Sequence, residues 1–310
     1  MAERTVAAAI VPRLLVEDAH STVLGIGFAV LANLMWTLGD TAAKWVIPVA
    51  GIGGAMLWRG VFGALVVAGV AVTQDDGWRR IVPVRWGLVI LRSVLSAFVS
   101  ITWYVSWRKM SLADTYALGF TAPLLMTLMA MPMLGERIRW RRMLSTLFGF
   151  AGVLVMLRPG GDLWRPETLL LMVGIVVMAL TRIMTRQLST TETPECQAFS
   201  LMVGHLCTGS VMVAVLPMPG VLTPVVWGAL AFLGLMSGLA HCVYARGYGL
   251  APISALAPYD YTALIWGGLA GWLVFAEVPA WSTIGGAAIV AAAGLYNLHR
   301  ERVLAAASAR

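Results

Sequence analysis

The chain reads as a succession of long apolar runs separated by short polar segments rich in Arg, Asp, Glu, Gly and Pro. Ten runs are distinguishable, near residues 22–44, 51–73, 83–104, 111–133, 140–157, 168–187, 196–216, 224–246, 252–275 and 281–298. Each is close to the roughly 20 residues that an α-helix needs to cross a bilayer core. Turn and cap residues punctuate them: QDDGWRR at 74–80, GERIRWRR at 135–142, RPGGDLWRPE at 158–167, STTETPE at 189–195 and PMPG at 217–220. The pattern predicts an all-α membrane protein of ten transmembrane helices. Apolar residues in unbroken runs, without strict alternation, argue against a membrane β-barrel.

Composition strengthens this reading. The chain is 59% hydrophobic and only 12% charged, about half the charged fraction of roughly 25% found in soluble domains; its mean hydropathy is +0.82. The net charge of +7 is not a nucleic-acid signal, because the basic residues sit in clusters between the runs. Of the 22 Lys and Arg, Arg59 and Arg92 lie inside runs. With both termini cytoplasmic, Lys44, Arg108, Lys109, Arg158 and Arg165 face outward and the other fifteen face inward. That asymmetry predicts a multi-pass plasma (bacterial inner) membrane protein with both termini in the cytoplasm. Residues 1–20 carry charges and no apolar core before a cleavage site, which argues against a removable signal peptide. Cys196, Cys207 and Cys242 have no metal-ligand spacing and read as inert small hydrophobes.

The pattern also repeats. Glu136 and Trp140 align with Glu277 and Trp281, while Leu112-Ala113 and Ala117-Leu118 align with Leu250-Ala251 and Ala255-Leu256. Met35 to Lys44 lines up loosely with Met178 to Gln187. The expected organisation is a segment 1–21, a five-helix repeat 22–157, a linker 158–167, a second repeat 168–298 and a tail 299–310. Five is odd, so the second repeat crosses the membrane inverted. Inverted repeats are a mark of carriers that hold substrate near the midplane, between the halves.

At these residues the chain resembles the drug/metabolite transporter superfamily, in particular its EamA-type ten-helix members, which include bacterial exporters of amino acids and metabolites. The resemblance covers residues 22–298 and rests on Gly135-Glu136 and Ala276-Glu277, on Pro258-Tyr259-Asp260-Tyr261 with Trp266, and on Trp36, Lys44 and Trp58-Arg59. It implies a basket of ten helices around a central cavity, with short loops and cytoplasmic termini.

Charged groups inside a membrane face protein or water, and the helical period shows which share a face. In the third run Arg92, Ser96, Ser100 and Trp103 form one stripe, and in the eighth Ser237, His241 and Tyr244. In the first run Asn33, Trp36 and Asp40 lead toward Lys44, and in the ninth Tyr259, Thr262 and Trp266 align. Asp260 lies about 100° around from Tyr259. Trp36, Asp40, Arg92, Ser96, Ser100, Trp103, His241, Tyr244, Tyr259, Asp260, Thr262 and Trp266 are therefore the candidate substrate-binding residues. Asp40 and Arg59 are a possible ion pair. Arg92 either faces the solute, braces neighbouring helices or reaches toward the inner surface. His205 and His241 fit structural roles, and Glu136 and Glu277 fit local pairing at span ends.

Cationic, anionic and aromatic groups together suit an amphipathic or zwitterionic solute. The expected function is alternating-access transport of an amino acid or related metabolite, with a vitamin- or nucleotide-like import substrate as the alternative. No His-Glu-x-x-His, Gly-x-Ser-x-Gly or phosphate-binding loop is present, so an enzyme and a primary pump are disfavoured, and ten helices with internal inversion suit a carrier better than a channel. No cofactor or metal is expected. The expected partners are a small-molecule substrate, the lipid bilayer and protons as a coupling ion, with no nucleic acid and a monomer or weak dimer.

Overall fold

The computed structural model describes residues 19–122, 124–125, 128–129, 140–157, 164–188, 190–250, 259–260 and 262–308. Gly135-Glu136, Pro258 and Tyr261, which carry part of the sequence resemblance, lie outside them. The described residues form nine α-helices and no strand: α1 (Ala19–Val72), α2 (Trp86–Trp107), α3 (Leu112–Gly119), α4 (Trp140–Leu157), α5 (Pro166–Leu188), α6 (Pro194–Val215), α7 (Pro224–Leu250), α8 (Thr262–Phe275) and α9 (Trp281–Ser308). Proline opens α5, α6 and α7, where a missing N–H costs nothing. The segment 299–308, expected as a tail, continues α9; HRERVLAAAS contains no Gly or Pro and is rich in helix formers. Among the described residues, five helices are long and apolar enough to cross a membrane.

The longest, α1, is two arms joined at a break. Gly51 has φ 68° and ψ 171°, a left-handed backbone that glycine adopts without a Cβ penalty. Gly39 and Gly63, equally far on either side, both abut α7, near Leu233–Ser237 and at Gly234 respectively. The arms therefore fold back as a hairpin and meet α7 at one level, which accounts for the first two expected runs. The carbonyl of Val49, freed by the break, accepts the N–H of Gly220 at 2.9 Å.

Packing joins the earlier helices to the later ones. α1 lies along α7 and α6, α2 against α5 and α6, α4 against α9, and α8 against α1 and α3. Glycines set the closest crossings. A Cβ on Gly60 would stand 2.4 Å from the Leu206 nitrogen, and one on Gly209 would stand 2.2 Å from the Leu57 nitrogen. Gly152 of α4 faces the Gly286 carbonyl of α9 in the same way. This is the small-residue packing by which helices associate in lipid. Gly268 of α8, by contrast, meets open space.

The outer surface is apolar. Leu24, Leu31, Leu38 and Trp45 recur every seventh residue along one exposed face of α1, and α2, α5 and α8 expose Val94, Val173 and Leu273. Exposed Trp residues gather toward the two ends: Trp78 and Trp86 at one, and Trp45, Trp164 and Trp281 at the other. An apolar belt between aromatic girdles is a lipid-facing surface. Polar side chains go inside instead: Asn33, Thr37, Arg59, Arg92, Thr102 and His205 are all buried.

Candidate functional site

The interior site begins at two turns. After α3 the chain turns at Phe120-Thr121, and before α8 it passes through a 3-10 turn at Tyr259-Asp260. A broken helix in a membrane frees backbone groups that protein must satisfy. Thr121 Oγ1 donates to the Leu118 carbonyl at 2.8 Å, and Thr262 Oγ1 donates to the Tyr259 carbonyl at 2.6 Å. Asn33 of α1 holds the second turn, its Nδ2 donating to Tyr259 O at 3.3 Å and to Asp260 Oδ1 at 3.4 Å. Asp260 also pairs with Arg182 of α5 at 4.0 Å. Asp260 and Thr262 thus brace the turn that leads into α8.

Next to it lies a buried group of charges and phenols. Tyr116 donates its hydroxyl to Asp40 Oδ2 at 2.7 Å, and Arg59 Nη1 donates to the Tyr104 hydroxyl at 3.0 Å. Asp40 and Arg59, expected as a possible ion pair, are within electrostatic reach of each other but do not bond directly; each takes a tyrosine. Trp103 packs its ring 5.7 Å from that of Tyr116. Gly267, next to Trp266, lies so close to the Tyr116 ring that a Cβ there would sit 2.3 Å from it. Trp36 makes a second aromatic group, 5.2 Å from the His241 ring and 4.8 Å from the Tyr244 ring.

The third-run stripe divides between two roles. Arg92 is buried, with Nε donating to Thr185 Oγ1 at 2.8 Å and Nη1 donating to the Gln197 carbonyl at 3.3 Å. It ties α2 to α5 and α6, the bracing role among its alternatives. Ser100 bonds His205 Nε2 at 2.7 Å, while His205 Nδ1 faces the Leu201 carbonyl at 2.7 Å. A carbonyl only accepts, so Nδ1 carries the proton and Nε2 accepts from Ser100. Ser96 is buried on the same helix. Trp103 alone of the four turns to the phenols. Tyr104 and Tyr116 escaped the sequence reading. Their signal was available, since two intramembrane charges need polar partners and a phenol inside an apolar run is a cheap one.

Both ends of the bundle are tied across the chain. At the Gly51 end, Glu277 forms an ion pair with Lys44 and accepts the Leu112 N–H, at the start of α3, at 3.1 Å. Lys44 also donates to the Met110 carbonyl at 2.8 Å and lies 5.0 Å over the Phe275 ring. Ser111 and Asp114 complete the α3 cap, and Thr283 of α9 donates to Asp114 at 2.5 Å. At the opposite end Arg80 pairs with Glu195 at 3.0 Å. There Glu192 accepts the N–H groups of Val84 and Arg85, at 3.0 and 2.7 Å, below α2.

A helical bundle with an apolar girdled exterior and a polar, aromatic interior is an integral membrane protein. Residues 23–158 match the EamA-like transporter family, the family that the motifs resemble. It is 27% identical over 268 residues to a riboflavin transporter of Brucella anthropi, covering 84% of this chain and 94% of that protein. It is 25% identical over 293 residues to an S-adenosylmethionine uptake transporter of Rickettsia bellii, covering 92% and 97%. A pseudopaline exporter of Pseudomonas aeruginosa is 25% identical over 279 residues, covering 87% and 94%. A solved crystal structure, 18% identical, shares the fold with a TM-score of 0.65 over 90% of this chain and 95% of that one.

Proposed function

We propose that the protein is a secondary carrier that moves a small ring-bearing metabolite across the bacterial inner membrane by alternating access. In this reading residues 22–157 and 168–298 are two inverted five-helix repeats, ten transmembrane helices in all. The observation that carries it is the interruption of helix at 120–121 together with the 3-10 turn at 259–260 that leads into α8, near corresponding positions if the two halves are repeats. Interrupted helices in corresponding places of inverted repeats mark where carriers hold their substrate. Trp103 lies beside Gly119 and packs on Tyr116, Trp36, His241 and Tyr244 make a second aromatic group, and such flat faces suit a ring. The names of the relatives, a riboflavin transporter and an S-adenosylmethionine uptake transporter, support the vitamin- or nucleotide-like alternative over an amino acid. The amino-acid expectation had also leaned on Arg92 as a carboxylate partner, and Arg92 is engaged by Thr185 and Gln197. Both termini lie in the cytoplasm, where the basic clusters gather, and the Gly51 end faces outward.

The test is transport by purified protein in proteoliposomes, using riboflavin, S-adenosylmethionine and a set of amino acids, with and without a pH gradient. Saturable uptake or counterflow of a ring-bearing solute supports the reading, and stimulation by the gradient identifies protons as the coupling ion. A monodisperse preparation that moves none of these solutes removes the carrier assignment.

A further inference from the structure

We infer that a groove on the lipid-facing side of α1, α7 and α8, at the Gly51 end, binds one anionic phospholipid, its phosphate at Arg108 and Lys44 and an acyl chain along the bundle. Two cavities meet there at Trp45. The one at the end of the bundle, about 370 Å³, has Lys44, Trp45, Pro48, Trp107, Arg108 and Phe275 in its walls. The other, about 310 Å³, lies between Leu38, Thr41, Ala42, Ala229, Phe232 and Val274 and shares Trp45. Polarity therefore changes along one groove, from cationic and aromatic at its end to apolar toward the middle of the bundle. Leu38, Thr41, Ala42, Trp45 and Pro48 share one face of α1 and span about 15 Å at roughly 1.5 Å per residue. That is the depth of one leaflet of a hydrocarbon core about 30 Å thick.

The end of the groove has donors to offer. Among the described residues no acid pairs with Arg108, which is exposed. Lys44 gives two of its ammonium hydrogens to Glu277 and the Met110 carbonyl and keeps the third. Glu277 balances the charge of Lys44, so the walls present the single positive charge of Arg108. A phosphodiester carries a single negative charge, and a guanidinium holds phosphate oxygens through two parallel N–H groups. Trp45, 44% exposed, sets its indole at headgroup level, where tryptophan is enriched in membrane proteins. The Trp107 indole already donates to Thr115, so its ring serves as a wall. A helix of another protein fits this groove poorly. Helices approach one another in lipid over small residues, whereas Leu38, Trp45, Phe232 and Val274 are large and exposed. The site follows from membrane residence and does not depend on what the chain carries.

The experiment follows thermal unfolding of the full chain in uncharged detergent micelles as lipid is titrated in. Phosphatidylglycerol should raise the midpoint by about 5 °C at roughly a hundredfold over its Kd. Phosphatidylcholine, whose choline cancels the phosphate charge, should raise it far less. Arg108→Gln alters an exposed side chain and should fold as the wild type does. It should weaken phosphatidylglycerol binding by about tenfold, the scale of a hydrogen bond to a charged group, and so halve the shift at the same lipid concentration. Ala229→Trp fills the apolar part of the groove and should weaken binding without touching the phosphate end. Arg79→Gln, also exposed but at the opposite end of the bundle, should leave the titration unchanged. Equal stabilisation by the two lipids overturns the inference, as does wild-type affinity in folded Arg108→Gln or folded Ala229→Trp. Equal weakening by Arg79→Gln overturns it as well, since general charge attraction then explains the binding. Stabilisation by glycerol phosphate as strong as by the lipid marks a site for free phosphate and sinks the lipid assignment. A dimer in micelles that Ala229→Trp dissociates seats a second copy in the groove, with the same result.

Discussion

A guanidinium and a carboxylate buried in one membrane interior would be expected to bond each other, yet here Tyr104 holds Arg59 and Tyr116 holds Asp40. The phenols keep both charges solvated by protein without cancelling them. Removing either hydroxyl exposes a charged group to an apolar wall. Tyr104→Phe and Tyr116→Phe should each lower stability by about 1–3 kcal/mol, the cost of leaving a buried polar group unpaired. Thermal unfolding in detergent checks this, and an unchanged midpoint would show that water replaces the hydroxyl. Helical periodicity identified the polar faces well: Trp36 from one run and His241 and Tyr244 from another do meet. It could not say which neighbour each face meets. Arg92 and Ser100 share a stripe with Trp103, but they turn to α5 and α6 while Trp103 turns to Tyr116. That choice is made by tertiary packing, which spacing along one helix does not encode.

The ends of elements carry the connections between early and late parts of the chain. Lys44 lies near the end of the first arm of α1, and Glu277 follows α8; Glu277 also accepts the Leu112 N–H at the start of α3. If the proposed alternating access holds, an outward opening has to part this contact along with the others at that end. Glu277→Gln and Lys44→Ala should weaken closure at that end and lower transport. The double reversal Lys44→Glu with Glu277→Lys should restore transport only partly, because a lysine cannot accept the Leu112 N–H. Full recovery would show that charge attraction alone matters. Crossings are set elsewhere by glycine. Gly60→Val places side-chain atoms against the Leu206 backbone, forcing α1 from α6 at a cost of about 1–3 kcal/mol, read as a lowered unfolding midpoint. Gly149, Gly152, Gly267 and Gly271 likewise meet a neighbour within contact distance. Gly60 and Gly209 went unremarked, because the partner that makes a glycine necessary lies on another helix.

Across the whole molecule, helical class and membrane residence were legible in the length and oiliness of the runs, since the bilayer enforces both. The hairpin inside α1 was legible as two runs, while the seam between them was not, because one glycine with a positive φ replaces any loop. Orientation is testable directly. In a variant without native cysteines, Asp76→Cys should react with a membrane-impermeant maleimide only after cells are opened, and Pro219→Cys should react in intact cells; the reverse labelling would invert the topology. The same seam has a consequence for biogenesis. The ribosome delivers Val49 long before Gly220, the residue whose N–H satisfies its carbonyl. The nascent hairpin therefore sits in the membrane with its tip unfinished until the seventh run has been made and its following turn has swung over.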